Sequence, residues 1–185
     1  RVDGSAVGRL RGSNTQLLID SYGDFGAEGN GVAVDDDHVY VFDSNEISKR
    51  AWGDPETEID VNTDPRGDAG LTGYGGPSGG HVKDGELFVL MDGNGVGNSH
   101  VVVFDPEYLT YLRKYDLGTD YVGDGDLTWT GTQWCLTFYG QNTNLYLCPS
   151  DFSTITAVSL EDEDGNSDSF NDARAITKMD DDVDD

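Results

Sequence analysis

Residues 126–160 read DLTWTGTQWCLTFYGQNTNLYLCPSDFSTITAVSL, four short β-type runs one after another. Thr128–Thr130 leads through Gly131 into Trp134–Tyr139. Residues 140–142 turn the chain into Leu145–Cys148, and Pro149–Phe152 leads into Thr154–Leu160. β-Branched and aromatic runs punctuated by Gly, Asn, Pro and Asp are what an antiparallel meander requires. The unit recurs. First strands begin near Gly31, Gly80 and Leu127, 49 and 47 residues apart, and a fourth start falls near Ala173 or Arg174. A fixed period of about 40–50 residues with four strands per unit is the sequence signature of a β-propeller. Each sheet of such a fold buries its faces against its neighbours, so one unit is not stable alone.

The other units carry the same punctuation. Gly31–Asp43 alternates around an Asp35–Asp37 turn, and Ile47–Trp52 and Thr57–Val61 supply two more strands. Residues 60–77 form a long polar connection. Gly80–Met91 is a hairpin on Asp84-Gly85, the strongest two-residue hairpin signal. Asp92–Ser99 is a loop, His100–Phe104 a strand, and Asp105-Pro106 a turn into Tyr108–Leu117. Near the start, Ala6–Leu10 and Gln16–Tyr22 read as strands, and no helix is expected. The reading is a single all-β domain over 1–185, a propeller with units at about 31–78, 79–125 and 126–172. Segments 1–30 and 173–185 could complete one blade between them, or the chain could be part of a larger ring. A chain beginning at Arg1 rather than Met points to a processed or trimmed product. A β-sandwich or jelly roll, which also strings short strands at close spacing, is the alternative fold. GVAVD…VYVFD stands in the place of the strand-turn-strand core of NHL-like propellers, and the stretch 30–179 resembles that loose group. The resemblance implies a fold only.

Charge bounds the surroundings. Thirty-six acidic residues, 28 Asp and 8 Glu, face 11 basic ones, of which four are Lys, for a net charge of −25. Such a balance can keep a chain from collapsing. Nineteen aromatic residues (three Trp, nine Tyr, seven Phe) set in strand patterns argue instead for a folded protein adapted to molar salt. There the Debye length shrinks to about 3 Å, self-repulsion is screened and a hydrated carboxylate surface maintains solubility. The same surface repels nucleic acid phosphates and anionic lipid, and no apolar run reaches the roughly 20 residues of a membrane span. Neither nucleic acid binding nor membrane insertion is expected.

Two Asp-rich segments share the spacing D-x-N-x-D-x-x-x-D: Asp60, Asn62, Asp64 and Asp68, and Asp164, Asn166, Asp168 and Asp172. Ca2+ takes about six to eight oxygens, and alternate residues of a tight loop can aim theirs at one centre. Pro65 and Ser169 replace the Gly expected after the third ligand, and 28 Asp make chance matches easy, so a hydrated loop is the competing reading. The run from Asp92 to Asn98 is a weaker match and reads as a hairpin loop. Counting outward from a turn centred between Gln141 and Asn142 sets Cys135 opposite Cys148. A cross-strand disulfide is then feasible, and it would suit an extracellular or virion-surface location; two buried thiols are the alternative. His38, His81 and His100 show no metal-ligand spacing, and Ser78 and Ser150 lack a nucleophile-elbow context. Arg66-Gly67-Asp68 is an adhesion-type tripeptide with no further context. Trp129, Trp134, Phe138 and Phe104 are expected in the inter-sheet core, whereas Tyr108, Tyr111 and Tyr115 lie at mixed parity, so some face solvent.

These features favour a non-catalytic structural or binding module. It would work through contacts with other protein subunits, as a homo- or hetero-oligomer, on a halophilic cell surface or virion; the cytoplasm of a high-salt organism is the alternative setting. A metal-assisted hydrolase or lyase in a propeller channel and a carbohydrate-binding propeller are the competing readings. Ca2+ is the one cofactor that the residues suggest.

Overall fold

The computed structural model describes residues 9–12, 15–18, 30–93, 97–121, 123–139, 141 and 144–159. A hairpin of β1 (Arg9–Gly12) and β2 (Thr15–Leu18) comes first, a few residues from the expected bounds. Three four-stranded antiparallel sheets follow, each built from four consecutive strands. Sheet one holds β3 (Gly31–Val34), β4 (His38–Phe42), β5 (Ile47–Ala51) and β6 (Asp54–Asn62). Sheet two holds β7 (Pro77–Lys83), β8 (Glu86–Met91), β9 (His100–Phe104) and β10 (Tyr111–Asp116). Sheet three holds β11 (Gly125–Trp129), β12 (Trp134–Phe138), β13 (Asn144–Cys148) and β14 (Thr156–Ser159). The expected fourth-unit strand at 173–179 lies outside the described residues.

Sheet two is the middle layer, and its sequence shows why. Strands with one wet face alternate apolar and polar, whereas β8 and β9 are apolar and buried without a break over Leu87–Met91 and Val101–Phe104. Leu87, Val89, Met91, Val102 and Phe104 face sheet one, joining Ala33, Tyr40, Phe42 and Ile47. Phe88, Leu90, Val101 and Val103 face sheet three, joining Leu127, Trp134, Leu136 and Phe138. Trp134 stacks on Phe152 at 5.4 Å and 20°, and lies 4.6 Å from Phe88. The aromatics expected in the core are therefore there, with Trp129 half-buried at its edge. Burying each such side chain stabilises the fold by about 1.5–3 kcal/mol.

The first strands β3, β7 and β11 lie side by side. Contacts between them fall at one sequence separation. Asn30 Nδ2 donates to Pro77 O (3.3 Å), and Gly125 N donates to Ser78 Oγ (3.2 Å), each pair 47 residues apart. Ser78 Oγ also donates to Leu90 O, so this hydroxyl knits the strand junction from inside. The approach is close enough to require glycine: a Cβ on Gly31 would run into the Ser78 carbonyl, and one on Gly79 into Asp126. The repeat read as 49 and 47 residues is thus a physical spacing of 47, set where equivalent positions touch.

Two expectations are corrected. The β12–β13 register places Trp134 opposite Cys148 and Cys135 opposite Leu147. The pairing is symmetric about Gln141, whose N donates to Phe138 O (3.1 Å) and whose Nε2 donates to Asp120 O (2.8 Å). An odd loop shifts the register by one residue, and one residue reverses the face. Cys148 therefore points into the Trp134 cluster and Cys135 to the opposite side, and both are buried free thiols with no disulfide. The polar connection at 60–77 is also more than a loop. It continues β6 to Asn62, adds a one-turn helix α1 (Pro65–Asp68) and lays Ala69 and Leu71 into the core.

Candidate functional site

The β9–β10 turn of sheet two is built to expose one ring. Asp105 Oδ1 accepts from Glu107 N (2.7 Å) and Tyr108 N (3.2 Å), an Asx-type turn. Leu109 then takes φ +51°, a left-handed conformation that costs a branched residue energy. The strain is held because Leu109 is 1% exposed in the core between sheets one and two. Turning Leu109 inward throws Tyr108 outward, to 64% exposure. Phe152 repeats the device in sheet three, at φ +55° and buried between sheets two and three.

Sheet one holds this turn by its carbonyls. Lys49 Nζ donates to Glu107 O (3.4 Å) and Asn62 Nδ2 to Leu109 O (2.8 Å), and the Tyr40 hydroxyl, whose proton goes to Asp35, lies 3.4 Å from Pro106 O. Asn62 Nδ2 also donates to Asp68 Oδ2 (2.9 Å), while Asn62 Oδ1 accepts from Asp64 N (3.0 Å). Asp64 is the N-cap of α1, its Oδ1 accepting from Gly67 N (3.0 Å), with Pro65 in the first turn. A Pro at the start and Asp before it are the expected helix-start signals. The D-x-N-x-D-x-x-x-D spacing is here a clamp and a cap. Asn62, Asp64 and Asp68 are brought together. Asp60 instead sits within β6 opposite Lys49, its Oδ1 accepting from Val61 N. The second such segment, Asp164 to Asp172, lies outside the described residues. Among the described residues, no three His, Cys, Asp or Glu side chains form a metal-binding group.

Between the clamp and the turn runs an open groove of about 520 Å3. Tyr108 and Tyr111 supply rings, Thr63 and Thr110 hydroxyls, and Asp64 and Asp68 its only charges. The Tyr108 hydroxyl is bound to Glu107, which raises its pKa and keeps it a donor. Tyr115, the third tyrosine of the run, lies half-buried against Phe152 at 4.8 Å.

The remaining candidates have structural roles. Arg66 donates from Nη1 to Tyr74 O (2.9 Å) and from Nη2 to Asn45, so the Arg66-Gly67-Asp68 tripeptide is tied down rather than displayed. Asp35 accepts from His38 N (2.7 Å), Asp37 N (2.9 Å) and Tyr40 Oη (2.7 Å). Burial works against its charge, but these hydrogen bonds outweigh it and hold the carboxyl below its ordinary range. His81 meets Trp134 edge-on at 5.9 Å, and burial, with Lys83 nearby, lowers its pKa. Burial likewise lowers that of His100, against the pull of the Asn98 carbonyl bonded to its Nδ1. Burial, with Cys135 and Asp151 adding to it, pushes the Cys148 thiol up to about 12, so it is not a nucleophile.

Fold and site together define an all-β protein of stacked four-stranded meanders carrying an aromatic, acid-edged groove where two sheets meet. No protein-family model and no curated protein matches the sequence.

Proposed function

We propose that this chain is a non-catalytic structural module, a run of consecutive β-propeller blades that assembles with other protein subunits in high-salt surroundings, on a cell surface or a virion. The observation carrying this reading is the side-by-side set of first strands spaced by 47 residues, the arrangement that blades adopt around an axis. The flanks of the stack support assembly. Val32 and Val34, at 51% and 45% exposure, lie on the first strand of sheet one, and Val158 at 41% lies on the outer strand of sheet three. The net charge of −25 suits a setting where salt screens repulsion between subunits.

Sedimentation and native mass measurement in molar salt test it. Higher-order species that dissociate when Val32 and Val34 are both changed to Lys support the reading. A strict monomer at all concentrations, or sustained hydrolase or lyase turnover with added divalent metal, overturns it.

A further inference from the structure

We infer that the groove between Asn62 and Tyr111 is a binding site for a neutral saccharide. The inference stands apart from the assembly reading, since the groove and the flanking valines are different surfaces.

Three observations converge. First, the groove presents aromatic faces at a fixed position. Tyr108 is 64% exposed and Tyr111 37% exposed. An exposed ring on a free loop would be mobile, but here Leu109 anchors the turn in the core and two donors of sheet one, Lys49 and Asn62, hold its carbonyls. A ring fixed before binding loses little entropy when a ligand stacks on it. A pyranose offers an apolar C–H face to such a ring and hydroxyls around its rim.

Second, the rim of the groove can satisfy those hydroxyls. Asp64 and Asp68 spend Oδ1 and Oδ2, respectively, on Gly67 N and Asn62 Nδ2. A carboxylate has about four acceptor positions, so each keeps capacity for a sugar hydroxyl. Thr63 and Thr110 add groups that both donate and accept. The volume of about 520 Å3 falls within the range of small-molecule sites and suits one or two sugar rings.

Third, charge chooses among occupants. No cationic side chain lines the groove, so a phosphate, sulfate or uronic acid meets only Asp64 and Asp68. A basic peptide would meet the right sign, but exposed ion pairs contribute about 0–1 kcal/mol and salt screens them. Stacking plus hydrogen bonds to an uncharged ligand depends little on ionic strength. In a protein of this charge, that is the chemistry that continues to work in molar salt.

The test is calorimetric titration of the whole chain with neutral oligosaccharides of glucose, mannose, galactose and N-acetylglucosamine, at 0.2 M and 2 M salt, these being roughly the screening regimes of 7 Å and 2 Å. At least one should bind, with an affinity that changes less than about 3-fold between the two salts, against the steep loss expected of an ionic contact. Tyr108→Ala should weaken it by about 3- to 10-fold, the stacking contribution of one ring, while Tyr108→Phe retains it. Because Tyr108 is exposed, circular dichroism of Tyr108→Ala should match the parent, and the loss is then a loss of binding. Three results would overturn the inference: no oligosaccharide bound at millimolar concentration, binding indifferent to Tyr108→Ala, or binding confined to a Lys/Arg-rich control peptide and abolished at 2 M salt.

Discussion

Asn62 Nδ2 donates to the carbonyl of Leu109 at 2.8 Å, across 47 residues of chain. One amide thereby joins the last strand of sheet one to the strained turn of sheet two. It also fixes Asp68 and the entry to α1. Asn62→Ala should therefore cost about 1–3 kcal/mol, because a buried-side carbonyl and the Asp64 amide lose their partner together. Urea denaturation measures the cost. Asp60→Ala, a neighbour outside the clamp, should cost less, and a chelator should change neither value if the clamp alone is at work.

Phe152 and Leu109 occupy equivalent turns, both at positive φ and both buried. Phe152→Ala empties a site stacked on Trp134 and should cost about 3–5 kcal/mol. Leu109→Gly removes a comparable side chain but also relieves about 1–2 kcal/mol of backbone strain. It should therefore destabilise less than Leu109→Ala, the reverse of the order seen at an ordinary buried leucine. Thermal unfolding of the two Leu109 variants decides it.

Stability should fall on acidification in two stages. His81 and His100 have folded pKa values below the ordinary 6.5, chiefly because burial disfavours their charged forms. The unfolded chain thus binds protons that the folded chain refuses, and stability is lost as pH drops below about 6.5. Glu86, lowered by its bidentate bond to Arg113 at 2.6 and 2.5 Å, and Asp35 contribute stability present above their unfolded values. That share disappears as pH falls from about 4.5 through their folded values. The melting temperature followed from pH 8 to pH 3 should show both limbs, and His81→Asn with His100→Asn should remove the upper one.

The thiols should be silent in the folded protein. Cys135 and Cys148 point to opposite faces of sheet three, and each is buried. Alkylation at neutral pH should label neither until denaturant is added and then label both. Migration in non-reducing and reducing gels should be the same.

Salt should matter more than any single residue. Moving from molar salt to about 0.1 M extends the Debye length from about 3 to about 10 Å, and 36 carboxylates regain sight of one another. The melting temperature should drop by at least about 5 °C, equivalent to on the order of 2 kcal/mol for a chain of this size. A melting temperature indifferent to salt would sink the high-salt reading.

Local signals carried most of the architecture. Asp84-Gly85 closes its hairpin with both residues at positive φ, the pattern a two-residue turn demands. The doubly apolar β8 and β9, and the recurrence of first strands, are equally visible in one dimension. Register was harder, because the pairing is symmetric about Gln141 itself and a count centred between residues misplaces every partner by one. The groove was half legible. Exposed tyrosines and the Asn62 to Asp68 segment can each be picked out. That they face one another depends on a carbonyl 47 residues away, which no local spacing encodes. The one signal available was the paired turns Asp-Pro-Glu-Tyr-Leu at 105–109 and Pro-Ser-Asp-Phe at 149–152, each ending in an apolar residue where a loop has no need of one.

Leu109 and Phe152 each reach back from a later sheet to seal the one before it. During synthesis at about 5–20 residues per second, the next 47 residues take on the order of several seconds to arrive. For that interval the cluster of Ala33, Tyr40, Phe42 and Ile47 lacks its last seal. The molecule is thus assembled in the direction it is translated, each length of chain closing its predecessor. A nascent chain halted before residue 87 would display the apolar side of its first sheet to whatever the ribosome exit brings near.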